Sequence, residues 1–424
     1  MAITMSSFAL LLMIGVPISI VLGLASVVYV AVSGDLALLE TMPQRLYSGI
    51  ETHGLLAIPL FMLAGELMNL GGITSRLIQF SQTLFGHFKG GLAYVNIIAN
   101  MFLSSILGSS LAQTAMMSRV MVPAMQKEGY TKEFSAATTA AAAMLGPIIP
   151  PSMLFILYSV GAGTSVSKMF LAGILPGIIL TIGFSLLIAY LGYKNNFPKS
   201  EKRPVKEMWS ATIQVIPALL VPAIIILGIT LGIFTATESA AIACALAFVV
   251  GILLYRELKW ADIPTVFLNT ARSTATVTLL LAMANLFGLV LTFERVPQVL
   301  AAWMGSITEN PLIFLLILNI FLLLVGMIMD GIASIVILVP ILVPIAKLFE
   351  IDLVHLGVII CINTVIGSLT PPVGAGLFVA SSVGEVKLEP LIRQIWPFLG
   401  VSVVVLFILT YLPTLVLWIP SLFS

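Results

Sequence analysis

The sequence has 424 residues, 60% of them hydrophobic and only 9% charged, where a soluble domain carries about 45–50% apolar and about 25% charged residues. Water is therefore excluded as the solvent for most of the chain. The net charge of +1 gives no basic field for nucleic acid and no pull toward a strongly acidic partner. Two cysteines without C-x-x-C spacing, Cys244 and Cys361, argue against a disulfide framework or a thiolate metal site and read as core residues.

In chain order, residues 1–7 lack a basic stretch, and the apolar run 7–32 exceeds the hydrophobic region of a typical signal peptide, so it reads as a retained first span. Further full spans are expected at 54–70, 134–157, 169–193, 213–233, 237–255, 273–293, 356–379 and 396–420. The apolar stretches 92–126 and 311–346 behave differently, because Gly108-Ser109-Ser110 and Asp330-Gly331 interrupt them near their middles. These two read as re-entrant helical hairpins. The segments 73–88 and 297–308 are amphipathic and read as interfacial arm helices, with a solvated loop as the alternative.

The chain matches itself at a fixed offset. Pro123 and Pro344 are 221 positions apart, as are Gly146 and Gly367, Pro150-Pro151 and Pro371-Pro372, Gly163 and Gly384, and Pro176 and Pro397. Upstream the offset becomes 219, pairing Gly86 with Gly305, Asn100 with Asn319 and Phe102 with Phe321. An ordered series of this kind reports a duplicated structural unit. One unpaired span, 213–233, separates the copies, so they should have opposite orientation. Loops 194–210, with Lys194, Lys199, Lys202, Arg203 and Lys206, and 256–272, with Arg256, Lys259 and Arg272, are basic and belong inside. Loop 33–53, with Asp35, Glu40 and Glu51 against Arg45, falls outside, as does 294–310, while 71–90 falls inside. Nine spans then place the N-terminus in the cytoplasm and the C-terminus outside.

Non-helical backbone survives in a bilayer only where it is buried in protein or lines a wet cavity. The run Gly146-Pro147-Ile148-Ile149-Pro150-Pro151-Ser152 cannot be a regular helix, since three prolines remove three donors. Gly367-Ser368-Leu369-Thr370-Pro371-Pro372 breaks the second copy in the same way. The freed carbonyls and nearby hydroxyls are hard oxygen ligands, of the kind that hold sodium in secondary transporters built from inverted repeats. Two ion sites follow. The first joins Ser104, Ser105, Gly108, Ser109 and Ser110 to Gly146, Ile149 and Pro150; the second joins Gly326, Asp330 and Gly331 to Gly367 and Thr370. The half-helices that start at the breaks present free amides, which favour an anionic substrate. Its candidate contacts are Ser109, Ser110, Pro151, Ser152, Asp330, Pro371, Pro372 and Arg295. Asp330 stands out as a carboxylate at an intramembrane tip. Arg119 and Arg295 either pair with a substrate carboxylate or snorkel to a headgroup, and Glu66 and Glu238 either cap helices or bridge to a partner. A catalytic reading finds little: His53, His87 and His355 are scattered, and H-E-x-x-H is absent.

The runs Leu56-Ala57-Ile58-Pro59-Leu60-Phe61-Met62-Leu63-Ala64-Gly65-Glu66, Gly108-Ser109-Ser110, Gly146 to Ser152 and Leu369-Thr370-Pro371-Pro372-Val373-Gly374 together resemble the large membrane subunit of tripartite ATP-independent periplasmic (TRAP) transporters. The likeness covers nearly the whole chain. It implies an all-α, multi-pass protein of the bacterial inner membrane with an elevator-type ion-transporter fold. It further implies sodium symport of an organic acid such as sialic acid or a C4-dicarboxylate, delivered by a periplasmic substrate-binding protein, with a separate small membrane subunit as partner. No organic cofactor and no nucleic acid are expected. By the same likeness 92–193 and 311–424 are the mobile part, and 1–91 and 194–310 the scaffold. Ala236, where relatives often have proline, departs from the pattern near Glu238. A stand-alone sodium and anion symporter of similar architecture is the alternative.

Overall fold

A computed structural model describes residues 2–34, 37–199 and 204–423. Asp35, Lys202 and Arg203, which entered the charge reading, lie outside the described residues. Within those residues the fold is all-α, with no strand beyond a single bridge between Lys89 and Lys199. Eight helices are long and apolar enough to cross a membrane by length and composition, two of them the arms of the second hairpin.

The duplicated unit is plain in the element order. The first copy consists of a hairpin, Gly91–Leu107 and Ser110–Lys127, a broken span, Lys132–Ala143 and Met153–Ala162, and a long helix, Val166–Lys194. The second repeats this with Pro311–Ile328 and Gly331–Leu348, then Leu353–Gly367 and Ala375–Val383, then Leu388–Tyr411. Local chemistry sets the boundaries. Ser109 caps the second arm of the first hairpin by accepting from the Ala112 amide, and Asp330 caps its counterpart by accepting from the Ile332 amide. Thr131, Ser152, Ser165 and Asp352 cap the helices that follow.

Every residue from Phe134 to Ala143 and from Val354 to Gly367 is buried, as expected of helices with no polar face. These two half-spans form the centre of the molecule. Lys132–Ala143 packs on both arms of its own hairpin and on Leu388–Tyr411 of the other copy, while Leu353–Gly367 also touches Val166–Lys194. The second halves cross over: Met153–Ala162 packs on Gly331–Leu348, and Ala375–Val383 on Ser110–Lys127. Because lipid tails give no hydrophobic drive between helices, small residues and polar pairs hold such contacts. In the first copy Asn96 donates to Thr139 (2.7 Å), Asn100 to Asn96 (2.8 Å), and Gln113 to both Asn100 oxygens (2.7 and 2.8 Å). In the second, Asn363 donates to Asn319 and Asn319 to Thr410 (2.7 and 3.0 Å).

Around this centre lie Ile18–Ser33, Ala37–Ser48, Ala57–Leu70, Ile73–Phe85, Val205–Thr230, Ala236–Val249, Ile263–Phe293 and Val296–Ile307. Both expected arm segments, 73–88 and 297–308, are helical. Four boundaries differ from the sequence reading. The run 7–32 is not one span but Ala2–Met13 and Ile18–Ser33, because Gly15 adopts a positive φ of 83° and Pro17 restarts the helix. The helix expected at 273–293 begins at Ile263, since the charge of Arg272 projects from an exposed surface that water or headgroups can serve. The span at 213–233 likewise starts earlier, at Val205. The last run, 396–420, starts at Leu388 and breaks at Leu412, where Pro413 cannot continue the hydrogen-bond ladder, so Pro413–Leu422 turns back onto Val166–Lys194.

Candidate functional site

Both hairpin tips and both breaks meet at one cavity of about 190 Å³. Gly108, Ser109 and Ser110 come from the first tip, Pro147 from the first break with Met153 and Leu154 from the helix after it, Asp330 and Gly331 from the second tip, and Ser368 from the second break with Thr364 from the helix before it. The crossing-over of the half-spans is what brings four separate discontinuities to one place.

Close backbone approach fixes this geometry. Gly108 has φ +56°, and a Cβ there would lie 3.3 Å from the Pro151 carbonyl oxygen, so the tip rests directly on the break. In the second copy a Cβ on Gly367 would lie 2.5 Å from the Gly326 Cα. The Gly374 amide donates to the Met327 carbonyl (3.0 Å), tying break to hairpin again. The Pro150–Pro151 and Pro371–Pro372 peptide bonds are both cis.

The backbone at the breaks is rich in free acceptors. The carbonyls of Gly146, Ile148, Ile149, Pro150 and Pro151 accept no hydrogen bond among the described residues, nor do those of Leu369 to Val373. Three helix N-termini, at Ser110, Met153 and Gly331, also face the cavity, and their partial positive charge favours an anion. The Asp330 carboxylate already caps the third of them, accepting from the Ile332 amide, and adds a negative charge beside the other two. It is solvent-facing at the second tip, and no arginine or lysine lines the cavity. The arrangement thus presents a fixed negative group, hydroxyls and helix N-termini together, which a cation and an anion can occupy side by side.

Of the residues singled out from sequence, Gly108, Ser109, Ser110, Asp330 and Gly331 line the cavity. Pro151 and Ser152 line a small adjoining recess with Phe61 and Met62 of Ala57–Leu70. The others lie elsewhere. Ser104 and Ser105 donate back to Asn100 and Phe102 of their own helix (both 2.7 Å). Gly146 abuts Gln113, Ile149 packs on Gly177, and Pro150 faces Phe170 and Ile226. Gly326 and Gly367 spend their faces on each other, Thr370 donates to Ile366 (2.8 Å), and Pro371 and Pro372 are outside the lining. Arg295 is exposed at the start of Val296–Ile307 and is not brought to the cavity; the Val296-Pro297 step beside it starts the arm helix expected at 297–308. Glu238 closes a capping box with Thr235.

Thr364, Val365 and Ser368 were missed as site residues, although Ser368 had been noted as a nearby hydroxyl. Thr364 and Ser368 are four apart, hence on one face of the last turn before the break, and that spacing was the available signal. Gln113, which abuts Gly146 rather than lining the cavity, was not singled out either. It is buried, its Nε2 donates twice to Asn100, and its Oε1 has no partner among the described residues.

The family described as the tripartite ATP-independent periplasmic transporter, DctM component, matches residues 5–415. The chain is 36% identical to the sialic acid TRAP transporter large permease of Vibrio cholerae, over 90% of this chain and 89% of that one. It is 37% identical to the C4-dicarboxylate TRAP transporter large permease of Pseudomonas aeruginosa, over 89% and 88%. The fold is similar to that of the Alcanivorax borkumensis YdaH transporter, with a TM-score of 0.65 at 15% identity, covering 90% of this chain and 89% of that one. A match across nearly the full length, joined to the duplicated hairpins and breaks, makes this chain a membrane-transport permease rather than an enzyme, belonging to the DctM component family of tripartite ATP-independent periplasmic transporters.

Proposed function

We propose that this chain carries an organic acid into the cell in symport with sodium, across the bacterial inner membrane. The observation behind this reading is the convergence of four chain breaks on a cavity that holds one carboxylate, Asp330, and three helix N-termini. An anionic substrate drawn to those N-termini is repelled by Asp330 unless a cation lies between them. Sodium held by Asp330, Thr364 and the hydroxyls of Ser109 and Ser110 removes that conflict and couples the two bindings. The free carbonyls at Gly146, Ile149 and Pro150 are further oxygen ligands that a small rearrangement of the first break would deliver.

On this reading 92–193 and 311–424 move as a unit against 1–91 and 194–310, in an elevator motion. A periplasmic binding protein supplies the acid, and a separate small membrane subunit completes the assembly. The cargo class follows the acids named for the relatives, sialic acid or a C4-dicarboxylate.

Proteoliposomes containing both membrane subunits, tested with succinate and N-acetylneuraminate, should accumulate one acid only with an inward sodium gradient and the cognate binding protein. Accumulation that persists when potassium replaces sodium rejects the coupling, and accumulation without the binding protein favours a stand-alone symporter.

A further inference from the structure

A second cavity, of about 370 Å³, lies where Ala37–Ser48 and Ile263–Phe293 face Met153–Ala162 and Gly331–Leu348. Its volume falls within the roughly 300–1,000 Å³ of small-molecule pockets, and it is larger than the central cavity. Most of the wall is aliphatic, with Val160, Leu289 and Val339 among its members. Four polar side chains reach it as well: Arg45, Thr52, Asn285 and Thr292. Thr292 donates to the Gly288 carbonyl (2.8 Å), whereas Arg45, Thr52 and Asn285 make no side-chain hydrogen bond or ion pair among the described residues, and Arg45 is the only charged group in the lining. An unpartnered guanidinium above an aliphatic wall suits a small organic acid, whose carboxylate takes the fork of donors while its carbon body meets the wall.

The two cavities lie along one track. Leu154 and Ile332 line the central cavity, and Leu157 and Ile335, three residues further along the same two packed helices, line this one. Three residues are just under one helical turn, a rise of about 4.5 Å. Arg45, Gly49 and Thr52, which line this end, belong to the sequence segment 33–53 that the charge distribution puts outside.

We propose that this cavity is an outer vestibule in which Arg45 receives the carboxylate of the organic-acid cargo before it reaches the central cavity. The cargo assignment rests on the transport function proposed above; the capture of an anion at Arg45 does not. A cation in a cleft with low-dielectric walls concentrates anions and raises their rate of arrival.

Gly288 lines the vestibule, and a Cβ there meets nothing within 4 Å, so Gly288→Cys places a reporter thiol without disturbing the wall. The two native cysteines are buried and give a slow background. In proteoliposomes of the assembled membrane subunits, the thiol is modified with an anionic sulfonatoethyl and a cationic trimethylammonioethyl methanethiosulfonate. Arg45→Ala should lower the ratio of anionic to cationic rates about threefold to tenfold, by loss of one nearby charge, and Arg45→Lys should preserve most of it. An unchanged ratio overturns the proposal. A ratio already low in wild type in vesicles containing phosphatidylglycerol, and restored in phosphatidylcholine alone, means that a lipid phosphate occupies Arg45 and overturns the cargo assignment. In uptake of the acid that the intact system accumulates, Arg45→Ala should raise the half-saturating acid concentration several-fold and leave the half-saturating sodium concentration unchanged; an unchanged acid value overturns the vestibule role. Sodium-independent uptake by wild type would instead remove the coupling while leaving the reagent ratio as expected.

Discussion

The two copies of the unit reach the same geometry by different means. In the first, a ladder of carboxamides, Asn96, Asn100 and Gln113, ties hairpin to broken span, and the nearest neighbour of Gly146 is the tip of the Gln113 side chain. In the second, the carboxamides Asn319 and Asn363 make the corresponding tie, but at the break backbone meets backbone, with Gly367 against Gly326. The hairpin tips differ too, since a neutral hydroxyl at Ser109 stands where the other copy has the Asp330 carboxylate. Duplication has kept the crossing-over that builds the cavity, while charge and rigidity have diverged. The second copy carries the charge and the tighter seam; the first has side chains that can shift.

The largest break in this comparison should come from adding one methyl group to each copy. Gly367→Ala drives a Cβ to 2.5 Å from the Gly326 Cα, where only backbone movement can relieve it, whereas in Gly146→Ala the same distance is to the Gln113 Oε1. Thermal midpoints in detergent should fall markedly for Gly367→Ala, by the equivalent of about 1–3 kcal/mol or more. Gly146→Ala should cost less and be partly rescued by Gln113→Ala. Equal losses without rescue would remove the distinction between a rigid and a yielding seam.

Next in size is the charge difference. Asn at position 330 retains a helix cap, so Asp330→Asn should insert and fold normally yet need roughly tenfold to hundredfold more sodium for half-maximal uptake, the loss of one charged ligand at about 1.5–3 kcal/mol. Ser109→Asn should shift the sodium requirement less. Similar shifts for the two tips would contradict the asymmetry.

A smaller effect is expected from the ladder. Gln113→Leu removes two donors from Asn100 and should cost about 1–2 kcal/mol, and Asn363→Leu in the other copy should cost a similar amount. The smallest belongs to the contact between the arm helix Ile73–Phe85 and the segment that follows Ala236–Val249. Arg76 pairs with Glu257 at 2.6 Å and lies 3.8 Å above the Tyr255 ring, but the pair is partly exposed, and Arg76→Gln should cost about 0–1 kcal/mol.

The duplication, hairpin tips and breaks were legible because glycine, proline and capping residues act locally, and each leaves its mark where it sits. Asp330-Gly331 and Gly146 to Ser152 are of this kind. What could not be read was the crossing-over of Met153–Ala162 and Ala375–Val383, which depends on contacts between residues about 180 or more apart and decides which oxygens face the cavity. Ser104 and Ser105 carry suitable chemistry, yet their helix turns them inward to satisfy their own carbonyls. Arg295 carries suitable chemistry too, yet it stands exposed at the start of the arm helix Val296–Ile307, away from the cavity. Thr364 was overlooked because an isolated threonine in an apolar helix gives no signal until its distance from the break is counted in turns.

The central claim is that the converging breaks form a sodium site with Asp330 as its charged member. The most direct measurement is the thermal midpoint of the purified permease in matched sodium, potassium and choline chloride, for wild type and Asp330→Asn. Stabilisation of wild type by sodium alone, lost in Asp330→Asn, is the predicted result; equal midpoints in all three salts, or a sodium effect that survives in Asp330→Asn, would contradict it.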